Sequence, residues 1–148
     1  MQSNSLLNRL YNRLQEQTFL YLYVPLTLYW IAMFIGTTLP TDHVPKFFNA
    51  QDKLEHFLAY FGLAVMIYLW LHFQKANLKF RQNGLLFSVL IVLTYAAFDE
   101  LHQTLIPGRV CDIIDWIADA LGGITGIGLV YFFIKSNRLK NAEAELSS

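Results

Sequence analysis

The sequence predicts an all-α integral membrane protein: a four-helix transmembrane bundle preceded by an amphipathic helix in the membrane interface. Three observations carry this reading. Hydrophobic residues make up 55% of the 148. They are gathered into four blocks, each long enough or nearly long enough to cross a hydrocarbon core of about 30 Å. Breaks between blocks carry the turn signals and charge: Pro40 and Pro45, the basic stretch with Lys75, Lys79 and Arg81, and Pro107–Gly108. Lys plus Arg and Asp plus Glu balance at 11 each, so no basic surface points to nucleic acid. A single cysteine, Cys111, excludes an internal disulfide. No short apolar run with a small-residue cleavage site opens the chain, so no removed signal peptide is expected. Nothing repeats internally, and residues 1–148 read as one membrane domain.

Each element follows from its pattern. Over residues 5–17, Leu6, Leu7, Leu10, Tyr11 and Leu14 recur at helical spacing opposite Arg9, Asn12, Arg13 and Glu16. That is an interfacial helix, too polar to span. The first span covers about 19–39, with Pro25 expected to kink it and Pro40 to end it. A loop holding Pro45 and the Phe47–Phe48 pair leads to the second span, about 52–73. Asp52, His56 and Tyr60 recur every four residues there and share a face. Asp52 suits the positive end of the helix dipole and can cap it. Tyr68 and Trp70 read as interfacial anchors. A basic loop with Lys75, Lys79 and Arg81 precedes the third span, about 84–104. Its strictly apolar part ends at Phe98, so a full crossing takes in Asp99, Glu100 and Gln103. Tyr95, Asp99, His102 and Gln103 fall on one face. Pro107–Gly108 marks a turn, and the fourth span runs over about 112–134. Asp112, Asp115 and Asp119 form a stripe along it, with Asp119 about 10 Å deeper than Asp112. An acid at that depth costs about 2.5–3.5 kcal/mol on insertion scales and needs a partner, a proton or water. Gly122, Gly123 and Gly126 continue the stripe and allow another backbone to approach closely. The stripe is therefore expected to face the bundle. Residues 135–148 read as a polar, unstructured tail.

Orientation follows from Lys and Arg. Arg9, Arg13, Lys75, Lys79, Arg81, Lys135, Arg138 and Lys140 lie on one side, and only Lys46, Lys53 and Arg109 on the other. Eight against three predicts both termini in the cytoplasm. The polar ends of the last three spans are then expected to meet at the extracytoplasmic face.

Asp52-Lys53-x-x-His56 with Tyr60, Asp99-Glu100-x-x-Gln103, Arg109, Asp115 and Gly122-x-x-x-Gly126 together resemble the VanZ-like family of bacterial membrane proteins. The resemblance covers about 19–134. The family's founding member is associated with resistance to the glycopeptide teicoplanin, and most relatives have no assigned reaction. The resemblance therefore implies a cell-envelope location and a motif more than a mechanism. Position 119 is usually Asn in the family and is Asp here; His102 and Cys111 also stand outside the pattern.

Three chemistries fit such a cluster. Crowded carboxylates separate in pKa, so one can hold a proton for acid–base work. Glu100 or Asp99 is the expected acid–base group, with His56 and Asp115 as an orienting pair. Carboxylates with a His can hold a divalent cation, although no tight HExxH-type signature is present. Arg109, with Lys53, can clamp a phosphate or carboxylate. Asp52, Gln103 and Asp119 complete the binding set. Blander roles stand beside these. Arg109 can pin its loop to Asp112 or Asp115, Asp52 can only cap, and His56 can only bond a fourth-span acid. Tyr60 and Tyr95 can be ordinary interfacial aromatics. The function expected is an enzyme or binder acting on an envelope lipid, a lipid-linked precursor or a glycopeptide. The alternatives are a non-catalytic resistance factor and, less well supported without a repeat, an ion- or proton-coupled transporter.

Overall fold

The computed structural model describes residues 6–39 and 50–146, with the side chains of 6–8 and 139–146 left aside. Pro40, Pro45, Lys46 and the Phe47–Phe48 pair lie outside the described residues. The described elements are all helical: α1 (Leu6–Glu16), α2 (Phe19–Thr38), α3 (Gln51–Phe73), α4 (Leu78–Gln82), α5 (Gly84–Gln103) and α6 (Ile113–Leu146). Four of them, α2, α3, α5 and α6, are long and apolar enough to cross a membrane.

α3 is the central helix. Its buried residues Tyr60, Leu63, Ala64, Ile67, Tyr68 and Leu71 repeat at three and four, which lays one continuous stripe against its neighbours. Tyr68 thus belongs to the core and is no interfacial anchor. Trp70 is half-buried, its ring edge-on to Tyr23 at 5.7 Å. α6 supplies the facing stripe: Asp115, Asp119, Gly122, Gly123, Gly126, Ile127 and Val130 are all buried. The glycines set the distance between the two helices. A Cβ on Gly122 would collide with the Phe57 carbonyl, and one on Gly126 would lie 2.6 Å from the Phe61 carbonyl oxygen. The glycine run is therefore a packing device, as expected. α5 closes the triad with Ser88, Val92, Ala96, Asp99, Glu100 and Gln103 on a single face. That face turns from apolar to polar within two turns of helix. Outward side chains such as Leu54, Leu58, Leu86, Leu90, Leu121 and Ile124 remain exposed, as lipid-facing residues are.

α2 joins this triad more loosely. Pro25 lacks an N–H and its ring crowds the preceding turn. The chain absorbs this with one wide π turn over Phe19–Tyr23, where the Val24 N–H reaches back to the Phe19 carbonyl. π turns are a recognised way to absorb such an interruption. α1 lies across the end of α3, with Tyr11 edge-on to Phe73 at 4.9 Å. Its Leu10 is 52% exposed and finds no cover in the protein, consistent with an in-plane helix resting on lipid.

Three local expectations are corrected. The basic loop contains a short helix, α4, nucleated by Asn77, whose side chain accepts from the N–H groups of Lys79 and Phe80. α6 does not stop near 134 in an unstructured tail but continues to Leu146. Residues 135–146 contain no Gly or Pro and several strong helix formers, so nothing halts it. Asp52 does not cap α3: Ala50 occupies the N-cap position, with no side-chain cap. The turn before α6 is as expected, with Gly108 at φ 80°.

Candidate functional site

The charged ends of α3, α5 and α6 converge. The α5–α6 loop brings its basic residue to the same place. The stripe on α5 that buries Val92 and Ala96 also buries Asp99, Glu100 and Gln103, because all five share the inward face. α6 contributes Asp115 and Asp119 from its own inward stripe, and α3 contributes His56 and Tyr60.

The ion pairs fall into two layers. In the outer layer, Lys53 Nζ lies 2.8 Å from Asp112 Oδ2 and 3.2 Å from Asp52 Oδ2, and it also contacts Asp115. Asp112 simultaneously opens α6: its Oδ1 accepts from the Ile114 N–H at 2.8 Å. The Lys53 ammonium holds the half-buried Asp112 carboxyl below the usual carboxylate range. In the inner layer, His56 Nδ1–H donates to Asp119 Oδ1 at 2.9 Å. Glu100 Oε1 stands 3.9 Å from the same nitrogen. Glu100 Oε2 accepts the Asp112 N–H at 2.9 Å, which ties α5 to the start of α6. Tyr60 donates its hydroxyl to Asp99 Oδ2 at 3.3 Å.

Arg109 is engaged by protein. Its Nε and Nη2 donate to the carbonyls of Leu39 and Gly36 at 3.0 and 3.2 Å, and its Nη1 to Gln103 Oε1 at 3.4 Å. Free carbonyls at a helix C-terminus attract a guanidinium. Arg109 therefore pins the end of α2, not Asp112 or Asp115. The expected His56–Asp115 pair is also redrawn: His56 takes Asp119, and Asp115 takes Lys53.

A cavity of about 530 Å³ opens above this network. Asp52, Lys53, Glu55, His56, Asp99, Gln103, Arg109, Asp112 and Asp115 line its polar side, and Met33 and Gly36 of α2 with the following Leu39 close the apolar side. Glu100 and Asp119 lie behind the lining, so the two candidate acid–base carboxylates are separated: Asp99 faces the cavity and Glu100 does not. Sequence reasoning missed the α2 wall. Backbone carbonyls are everywhere, and nothing in their residue types announces a guanidinium partner. Tyr60 as the donor to Asp99 was signalled only by its spacing from His56.

Of four buried carboxylates, Asp115 is contacted by Lys53 and Glu100 and Asp119 by His56, while Asp99 meets only the neutral Tyr60 hydroxyl. Buried charge of one sign is costly until something balances it. Two sets have ligand atoms within 4.8 Å of one another and a composition suited to a hard divalent cation: Asp52, His56 and Asp115, and His56, Glu100 and Asp119. Protons or a ligand's cationic group would meet the same need. Comparison with known proteins gives one family result: a model described as VanZ/LLP1 matches residues 4–134. No curated protein and no solved structure matches the chain.

Proposed function

We propose, from the premise that this chain belongs to the VanZ/LLP1 family and is a multi-pass membrane protein, that its cavity receives the polar, positively charged part of an envelope amphiphile. The candidate amphiphiles are a membrane lipid, a lipid-linked precursor and a glycopeptide antibiotic. One observation carries the reading. The cavity is lined by carboxylates, while its Lys53, Arg109 and His56 are already committed to protein acceptors. An anionic group entering it would meet Asp52, Asp99, Asp112 and Asp115 with no spare guanidinium to greet it. An ammonium or a polyhydroxylated cationic head would replace missing counter-charge. The apolar α2 wall suits the part of such a ligand nearest its acyl chains. The Lys and Arg asymmetry supports an extracytoplasmic position for this mouth, where such molecules are met.

Asp99 is the group best placed for acid–base work in a catalytic version of the reading. It lines the cavity, and its one hydrogen bond is a 3.3 Å contact from Tyr60. Glu100, Gln103 and the His56–Asp119 pair hold the surrounding backbone and rings in place.

The test uses the full chain in lipid nanodiscs with three probes: teicoplanin, phosphatidylethanolamine and the lipid-linked peptidoglycan precursor. At least one is expected to bind saturably. Asp99→Asn and Asp115→Asn should each weaken it about tenfold, or about 1.4 kcal/mol, with thermal unfolding unchanged. Absence of binding by all three, or equal binding by the charge-neutral variants, overturns the proposal. Turnover of a bound lipid that disappears in Asp99→Asn would select the catalytic version.

A further inference from the structure

The other end of the bundle carries a second hollow, of about 460 Å³, and its chemistry is opposite. Lys75, Arg81 and Arg138 line it, with His72, Tyr11 and Gln15 beside them. The elements that meet here are the end of α3, the segment through α4, the start of α5, and α6 beyond its apolar part; α1 forms one wall. At about 1.5 Å per residue, the length of α3 separates this hollow from the acidic cavity by about 30 Å. The two sites are therefore independent.

Three permanent cations converge without a counter-charge. No carboxylate lies within ion-pair distance of Lys75, Arg81 or Arg138 among the described residues. Among the described residues, the one polar contact made by these three groups is a donation from Arg138 Nη2 to His72 Nε2 at 3.3 Å, and a ring nitrogen that accepts a hydrogen bond balances no charge. At the acidic end the cations are treated differently, with Lys53 surrounded by three carboxylates and Arg109 by carbonyls. Mutually repelling cations gathered round a hollow mark an anion site, and guanidinium forks suit phosphate oxygens in particular.

Height identifies the anion. The hollow lies where α3 ends at Phe73 and α5 begins at Gly84, at the edge of two spanning segments. Lipid phosphates sit at that level, and α1, with its exposed Leu10, lies alongside as an in-plane helix. We propose that this hollow binds the phosphate of one anionic phospholipid headgroup from the leaflet facing the Lys- and Arg-rich end. The lipid would bridge α1, α4 and α6.

The experiment is native mass spectrometry of the full chain released from micelles doped with phosphatidylglycerol or phosphatidylcholine. The wild type should retain one phosphatidylglycerol with about tenfold preference. Arg81→Gln with Arg138→Gln should abolish that preference. Arg81→Gln alone, an exposed residue clear of the core, should reduce it, and Arg81→Lys should restore part of it. Lys79→Gln removes the same charge from the neighbouring turn without lining the hollow, and should leave retention unchanged. No preference between the two lipids overturns the proposal. So does an equal loss in Lys79→Gln, which would mean diffuse attraction without a site. Displacement of the lipid by millimolar inorganic phosphate would also overturn it, because a soluble anion would then be the ligand.

Discussion

Asp119 is fully buried, and its two oxygens fare differently: one accepts from His56, and the other has no hydrogen-bond partner. Asn at this position keeps the acceptor for His56 and removes the charge. Asp119→Asn is therefore expected to unfold at the same or a higher temperature in detergent. His56→Ala leaves the carboxylate alone in a low-dielectric interior and should cost about 3–5 kcal/mol. Equal losses in the two variants would contradict this account. Asp112 gives the pH prediction. Its carboxyl pKa is lowered by the Lys53 hydrogen bond, so its contribution is complete above the ordinary value of about 4. That contribution is lost as pH falls through the lower folded value. Hydrogen exchange in the first turn of α6 should accelerate over that acid range. In Asp112→Asn, which keeps the N-cap oxygen but carries no charge, this turn's pH response should vanish. The residue types of this cluster were legible from the sequence, as was their gathering at three helix ends. Their pairing was not. Asp112, Asp115 and Asp119 look alike as a stripe, and only the rotation of α6 against α3 decides that Lys53 takes the first two and His56 the third.

At the scale of elements, glycines decide how close α3 and α6 come. Gly122→Ala and Gly126→Ala would each drive a methyl into a backbone carbonyl of α3, which cannot swing aside as a side chain can. Each is expected to destabilise by about 1–3 kcal/mol or more and to weaken any binding in the acidic cavity by separating its walls. Gly128 has nothing within 4 Å of a built Cβ, so Gly128→Ala should be neutral or gain up to about 1 kcal/mol from helix propensity. Thermal unfolding of the three variants separates a contact role from a general dislike of alanine. α2 is held by a different device. Only 11% of its apolar window is buried, against 33–39% for the other spans, so Arg109 carries much of its attachment at the cavity end. Arg109→Gln should speed amide exchange in the last turn of α2 while leaving α3 and α6 protected. The four spans were readable because length and apolar content are summed over about twenty residues. The π turn before Pro25 and the α4 turn were not, because each depends on one or two hydrogen bonds that a periodicity average cannot register.

Across the whole molecule the charges are sorted by end. Among the described residues, most carboxylates and their committed cations occupy one end of the bundle, and uncompensated Lys and Arg the other. Sequence alone carried this polarity, since the positive-inside bias depends on counts in loops and not on packing. That the polar ends of α3, α5 and α6 share this face followed from alternating direction along the chain, but the wall that α2 adds to them needed the fold. The polarity predicts a topology that one chemical experiment can decide. Cys111 is the sole cysteine, exposed, and placed in the α5–α6 loop at the rim of the acidic end. A membrane-impermeant maleimide should label it in spheroplasts without permeabilisation. In a Cys111→Ala background, Ala76→Cys places the thiol on an exposed residue between α3 and α4, at the basic end. That thiol should stay unlabelled until the membrane is opened. If the pattern is reversed, the carboxylate cavity faces the cytoplasm, and an antibiotic or precursor presented from outside could not reach it. A binding partner would then have to come from the inner leaflet, while the geometry of Asp99, Tyr60 and the Lys53 network would stand unchanged.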